Sequence, residues 1–287
     1  MYLGIDIGGS HITAAQVNVK HGLVIEQSLR RTKLDPHASD EEILTCWADT
    51  IIAVAGGQAD YLVGIAMPGP FDYQNGICLM KNVNKYDSLF GMNIRDELAK
   101  RLQLSPNNII FRNDSEAFLD GEMAFGAGKS FHKGIGITLG TGLGTSVYHD
   151  GKSFDMGLGI NQPLHSGVAE DYISTRWFVN RFQELTQTNI LGVKQVAELY
   201  HTDEIARQIF EEFSQNITLF VHLFVEKFQP EVIIFGGNIA QSSELFFPAI
   251  EAGLKHVLPP IVIRKSVLNE NAALMGAVSF GTSMLTK

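Results

Sequence analysis

Cysteine is almost missing from this chain: Cys46 and Cys78 are the only two in 287 residues. Neither sits in a CxxC pair or in a Cys/His cluster with metal-ligand spacing, so a disulfide framework is excluded and a reducing compartment fits best. Positive charge is also short. Lys plus Arg number 22 against 31 Asp plus Glu, a net charge of -9. That is the wrong sign for a general nucleic-acid binder or a binder of anionic membranes, so an anionic ligand must be held by local donors. Charged residues make up 18% and hydrophobic ones 45%, which leaves no signature of disorder. Long apolar runs are lacking too. The most apolar helix-like stretch, Ile217 to Val225, contains His222, and the opening MYLGIDIGG has no basic segment followed by an apolar one. The expected setting is the cytoplasm, with no membrane and no nucleic-acid partner.

A chain of this length exceeds a typical single domain and reads as two lobes, each with its own core. The first thirty residues carry YLGIDI, HITAAQVNV and LVIEQSL, punctuated by glycine turns, and predict a three-stranded antiparallel meander. From Asp40 to Ala55 the residues Ile43, Leu44, Trp47, Ile51 and Val54 recur at helical steps, and the acidic start suits a helix N-terminus. A strand YLVGIAM, a helix near Asn93 to Leu104, a strand NNIIFRN and a helix from about Ser115 through Phe125 follow, giving βββαβαβα.

The second half repeats that order, with GIGITLG, GTSVYHD, a short third strand, a helix from about Ala169, and a long helix around Asp203 to Phe228. Strand EVIIFGG, helix Ser242 to Lys255, strand PIVIRK and helix Asn271 to Met284 complete it. An offset of 132 superposes Gly4 on Gly136, Ile5 on Ile137, Gly8 on Gly140 and Thr13 on Thr145, which points to duplication of an α/β unit.

A glycine turn between strands presents backbone N–H groups that another group can approach closely, so Gly8-Gly9 and Gly140-Thr141-Gly142 are candidate phosphate cradles as well as ordinary hairpins. Ser10, Thr141 and Thr145 would add hydroxyls. Asp6, just before the first turn, would hold Mg²⁺ through water, or simply cap the turn. Arg112-Asn113-Asp114-Ser115-Glu116 lies at a strand-to-helix junction, where it reads both as an N-cap and as the place for a general base. Phe235-Gly236-Gly237-Asn238 ends a strand and lets backbone approach a flat ligand. No GxGxxG or Walker lysine motif occurs.

Together these segments resemble the ROK family of sugar kinases, within the actin-like, hexokinase-like ATPase superfamily. GIDIGGSHITAAQVN is similar to its first phosphate segment, MPGPFDYQNG to a family turn, RNDSEAFLDGE to its catalytic segment, GITLGTGLGTSV to its second phosphate segment, IIFGGNIAQS to its adenosine segment and NAALMGAVSF to its closing helix. The resemblance implies a two-lobed actin-like ATPase (ribonuclease H-like) α/β fold, each lobe βββαβαβα around a mixed sheet. Residues 1–113 with 271–287 would form one lobe and 114–270 the other, with an ATP and sugar cleft between.

It also implies a hexose kinase of glucokinase or mannokinase type, using ATP and Mg²⁺, with a small-molecule sugar as partner, the 6-hydroxyl as acceptor and a homodimer as a common assembly. Asp114 would be the base, and Asn113 and Asn82 would contact the sugar. Gly8, Gly9, Ser10, Gly140, Thr141 and Gly142 would face the phosphates, and Gly236, Gly237 and Asn238 the adenosine. One region departs from the family. Where many members carry ExGH and a cysteine-rich zinc segment, this chain has a shortened Gly157 to Ser174 stretch without cysteine. His165 and Glu170 remain as candidate sugar contacts, the first glutamate is missing, and no structural zinc site is expected. The rival expectation is a sugar or nucleotide sensor without turnover.

Overall fold

The structure is a computed structural model describing residues 1–257 and 259–285. The chain divides into two compact units, Met1–Gly126 together with the chain from Glu270 onward, and Ala127–Asn269. The first unit runs β1 (Tyr2–Ile7), β2 (His11–Asn18), β3 (Leu23–Val24), β4 (Arg30–Lys33), α1 (Asp40–Ala55), β5 (Leu62–Met67), a small hairpin of β6 (Phe71–Asp72) and β7 (Ile77–Cys78), α2 (Ile94–Leu102), β8 (Ile109–Asn113) and α3 (Asp114–Phe125). Its sheet has the order β3-β2-β1-β5-β8, with β4 also on β2. The β1–β2 pair is antiparallel, whereas β1–β5 and β5–β8 are parallel.

Helix α1 forms where the apolar period places it. Ser39 and Glu42 make a reciprocal capping box, and Ile43, Leu44, Trp47, Ile51 and Val54 are all buried against the sheet. The expected third meander strand is split instead. Leu23–Val24 pairs with the end of β2 and Arg30–Lys33 with its start, and the 3-10 turn Glu26–Ser28 lies between. Ser28 causes the break: its hydroxyl accepts from the Gln16 amide at 2.8 Å and donates to the Ile25 carbonyl at 2.6 Å, which replaces ladder bonds.

The second unit runs β9 (Gly134–Leu139), β10 (Leu143–His149), β11 (Lys152–Asp155), α4 (Leu158–Asn161), β12 (Pro163–Leu164), β13 (Gly167–Val168), α5 (Ala169–Tyr172), α6 (Thr175–Thr186), α7 (Val193–Leu199), α8 (Glu204–Phe228), β14 (Val232–Gly236), α9 (Phe247–Leu254) and β15 (Val262–Lys265). Sheet order β11-β10-β9-β14-β15 repeats the first topology. The helix expected from Ser242 divides into a 3-10 segment, Ile239–Leu245, and α9, because Pro248 cannot donate within a continuing helix and serves as the start of a new one.

Sheet registers correct one detail of the duplication. Ile7 opposes Ile12 across a four-residue turn, but Leu139 opposes Leu143 across three. Thr13 faces Asp6, and the residue facing the equivalent Thr138 is Gly144. The Thr13/Thr145 identity is therefore accidental.

The last helix, α10 (Asn271–Leu285), packs on α3, β1 and β5 and so belongs to the first unit. Here α3 also groups with the first unit, so the unit boundary follows Gly126, not Asn113. The reason is close helix packing. A Cβ on Gly276 would lie 1.8 Å from the Ala117 carbonyl oxygen, and one on Gly121 would lie 2.1 Å from that of Ala272. Gly276→Ala should force α3 and α10 apart and cost about 3 kcal/mol, read as a lower denaturation midpoint with an unchanged m-value.

Candidate active site

In the first unit the turn Gly8–His11 is closed by the Gly8 amide donating to the His11 carbonyl at 3.0 Å, and the Leu34 amide donates to the Ser10 carbonyl at 2.9 Å. The Tyr86 hydroxyl donates to the Gly8 carbonyl. Arg31 donates to His11 Nε2 at 2.9 Å and to Glu270 at 3.0 Å. Since arginine can only donate, His11 carries its proton on Nδ1, 3.3 Å from the Ser10 hydroxyl. Burial, and then the Arg31 charge, hold the His11 imidazole below its ordinary range. Asp6 stands at the end of β1 beside this turn. Burial first, then the carboxylates of Asp114 and Glu270, push its carboxyl up to about 7 against the pull of Arg31. Asp6 and Asp114 are thus electrostatic neighbours.

The strand-to-helix junction resolves which residue is the cap. Asn113 Oδ1 accepts from the Ser115 amide at 2.9 Å, the Glu116 amide at 3.2 Å and the Ser115 hydroxyl at 2.7 Å. Its Nδ2 donates to the Tyr73 hydroxyl at 3.2 Å, which in turn donates to the Met67 carbonyl at 3.1 Å. Asn113 is buried and Asp114 is exposed, with Oδ1 on the Ser115 amide at 2.8 Å. Behind them the buried Arg112 guanidinium pairs with Glu116 at 2.6 Å and Asp120 at 2.8 Å and lies 4.0 Å from the centre of the Phe280 ring. The Asn82 loop is exposed, with left-handed backbone at Asn82, Asn84 and Tyr86, and the Asn82 amide donates to Asp87 at 3.0 Å.

In the second unit the turn at Gly140–Gly142 is closed by the Gly140 amide donating to the Gly142 carbonyl at 3.1 Å. The Gly140 carbonyl accepts from the Thr175 amide at 2.8 Å and the Thr175 hydroxyl at 3.0 Å. Glu170 accepts from the Leu143 amide at 2.9 Å, and a Cβ on Gly142 would lie 2.6 Å from that carboxylate. Gly237, at φ 85°, packs so tightly that a Cβ would lie 2.3 Å from the Leu139 carbonyl oxygen. The Gly236-Gly237-Asn238 segment therefore lies against the second turn, with Gly237 and Asn238 exposed.

Two residues are tied to partners within the second unit. Thr145 is buried within β10, and its hydroxyl accepts from the Leu158 amide at 3.0 Å. His165 Nε2 meets Asn216 Oδ1 at 2.8 Å and its ring stands edge-on to Tyr172, lining a cavity of about 430 Å³ with Trp177, Arg181 and Glu212. Tyr86, Thr175, Arg31 and Glu270 are contributors that the sequence reading did not pick out. Among the described residues, no three of His, Cys, Asp and Glu gather as a metal-holding group, and no helix is long and apolar enough to cross a membrane.

The ROK family model matches residues 2–161 and 165–282. This chain belongs to the ROK family. The match is interrupted at 162–164, inside the shortened stretch that lacks the zinc segment. It is 26% identical to a glucokinase of Thermotoga maritima over 315 aligned positions, covering 96% of each chain. With an N-acetyl-D-glucosamine kinase of Pectobacterium carotovorum it shares 24% over 274 positions, covering 86% of each. A ROK family glucokinase from Streptomyces griseus, solved with glucose and AMPPNP, superposes with a TM-score of 0.77 at 23% identity, covering 98% of this chain and 99% of that one. The fold is the two-lobed actin-like ATPase, ribonuclease H-like, α/β fold, with one mixed sheet in each unit.

Proposed function

We propose that this ROK family member is an ATP-dependent hexose kinase that transfers the γ-phosphoryl group of Mg-ATP to a sugar hydroxyl, the 6-hydroxyl of a hexose. It is a phosphotransferase with an alcohol acceptor. The observation that carries the reading is the division of labour at the head of α3. Asn113 performs the capping, and the adjacent Asp114 carboxylate is exposed at the head of the helix, where it can take a proton from a bound hydroxyl. Phosphoryl transfer needs positioning, charge stabilisation and one such base more than it needs covalent chemistry.

Gly9, Ser10, Thr141 and Gly142 face the phosphates, with Gly8 and Gly140 as the fixed roots of the two turns. Gly236, Gly237 and Asn238 flank the adenosine. Asp6 suits Mg²⁺: it is an oxygen donor whose burial, and then the neighbouring carboxylates, disfavour its bare charge, and a hard divalent cation offsets both. When bound, the ion neutralises charge building on the phosphates. Asn82 and Glu170 contact the sugar. Asn113 does so with its remaining Nδ2 hydrogen, and His165 through Nδ1, since Asn216 Oδ1 holds its Nε2.

A coupled ADP-release assay across hexoses, N-acetylhexosamines and ribose tests the reading, with turnover of at least one hexose expected. The loop shortened around His165 favours the sensor as the second reading. Thermal stabilisation by a sugar without ADP release from any acceptor would establish that reading and overturn the kinase.

A further inference from the structure

The two glycine turns share a device that their sequences do not. In each, the first glycine spends its N–H closing the turn, Gly8 on the His11 carbonyl and Gly140 on the Gly142 carbonyl. In each, the carbonyl of that same glycine is held from outside the hairpin. The hydroxyl of Tyr86 holds Gly8, and the amide and hydroxyl of Thr175 hold Gly140. Register makes the positions equivalent, since Gly8 follows Ile7 at the end of β1 as Gly140 follows Leu139 at the end of β9. The holding residues are unrelated. Tyr86 ends the Asn82 loop and Thr175 begins α6.

A trans peptide unit is planar, and its C=O and N–H point to opposite sides. Fixing the Gly8 carbonyl inward, toward a wholly buried Tyr86, therefore fixes the Gly9 N–H in the opposite sense. Without that tether the Gly8–Gly9 unit could rotate about two glycines, which tolerate both orientations of the plane. The same geometry ties the Thr141 N–H to the Gly140 carbonyl. Among the described residues no hydrogen bond occupies either N–H.

Tyr86 is itself firmly set. Its ring is edge-on to Trp47 with centroids 5.3 Å apart, its own amide donates to the Pro36 carbonyl at 2.8 Å, and burial holds its phenol above the ordinary range.

We infer that Tyr86 and Thr175 are positioning residues, one in each repeat, that lock the first peptide plane of each glycine turn and thereby aim the Gly9 and Thr141 N–H groups at the nucleotide phosphates. The destination of those N–H groups rests on the kinase reading; the locks themselves do not.

Two substitutions test them with little disturbance elsewhere. Tyr86→Phe deletes one hydroxyl. Thr175→Pro deletes both donors, yet Thr175 is the first residue of α6, where proline is tolerated, and Ser174 before it is already extended, as a residue preceding proline must be. Cooperative thermal melts establish that each variant folds. Amide hydrogen exchange of the ligand-free protein is then followed in peptides covering 7–12 and 139–143, and Mg-ATP affinity is measured by calorimetry.

Loss of one neutral hydrogen bond should speed exchange about tenfold in the first turn alone for Tyr86→Phe, and at least as much in the second turn alone for Thr175→Pro. Each variant should bind Mg-ATP about tenfold more weakly while its thermal shift with glucose stays that of the wild type. Unchanged exchange in both turns, in folded variants of a wild type that turns over, overturns the locks and leaves the kinase. Localised exchange changes in a protein that binds no ATP overturn the kinase and leave the locks.

Discussion

Asp114→Asn should lower kcat by about 10²- to 10⁴-fold, the usual contribution of a positioned general base, while the melting temperature moves little. The second half of that expectation follows from Asn113. Its carboxamide already accepts from the Ser115 and Glu116 amides, so the orphan donors at the head of α3 are satisfied whether or not residue 114 is acidic. The variant does lose a negative charge in the first helical turn, which costs a few tenths of a kcal/mol up to about 1. Removing Asp114 also relieves a repulsion felt by Asp6, which offsets part of that loss. KM for the sugar should change much less than kcat, because a group that acts on the proton in the transition state is missed mainly there. The control is Asn113→Ala, which should lower stability by about 1 kcal/mol through the lost cap. Turnover near the wild-type rate in folded Asp114→Asn would remove Asp114 from the chemistry.

What the sequence made legible is what local chemistry determines. Helix α1 could be bounded to the residue because a capping box, an apolar stripe and a glycine stop all lie within the segment itself. The split of the third strand could not, because it depends on Ser28 reaching across to Gln16. Placement of α3 with the first unit depends on Gly121 and Gly276, whose need for closeness shows only once α10 returns to pack on it. The same distinction runs through the site. Both glycine turns were visible as turns, but the one-residue difference between them was not, and so Thr145 appeared equivalent to Thr13. At Asn113-Asp114 two residues could each cap or catalyse, and only the hydrogen bonds of α3 assign the cap. Tyr86 and Thr175 gave no signal, because each acts on a backbone carbonyl far away in sequence, and a lone hydroxyl in a loop or at a helix start has no pattern.

Asp6→Asn should abolish Mg²⁺-dependent turnover and yet make the protein more stable at neutral and alkaline pH. The carboxyl of Asp6 is raised from 3.8 to about 7, by burial first and by Asp114 and Glu270 after it. A raised carboxyl means that the folded state keeps a proton which the unfolded chain has released, so the unfolded state binds fewer protons between those two values and stability falls as pH rises through that window. Below about pH 4 both states are protonated and no penalty exists. Above about pH 7 the penalty is complete, with an upper bound of about 4 kcal/mol that local relaxation and water will reduce. Asparagine never ionises, so it escapes the penalty. The difference in melting temperature between Asp6→Asn and wild type should therefore be small near pH 4 and open progressively up to about pH 8. Millimolar Mg²⁺ with nucleotide should close the gap from the wild-type side, by stabilising the protein that can hold the ion and leaving the variant with nucleotide alone. Thermal melts at the two ends of the pH range, with and without Mg-ATP, decide the matter. A gap that is equal at pH 4 and pH 8, or a variant less stable than wild type at pH 8, would show that Asp6 is held as an ordinary charged strand-end residue, and an equal response of the two proteins to Mg-ATP would remove it from the cation.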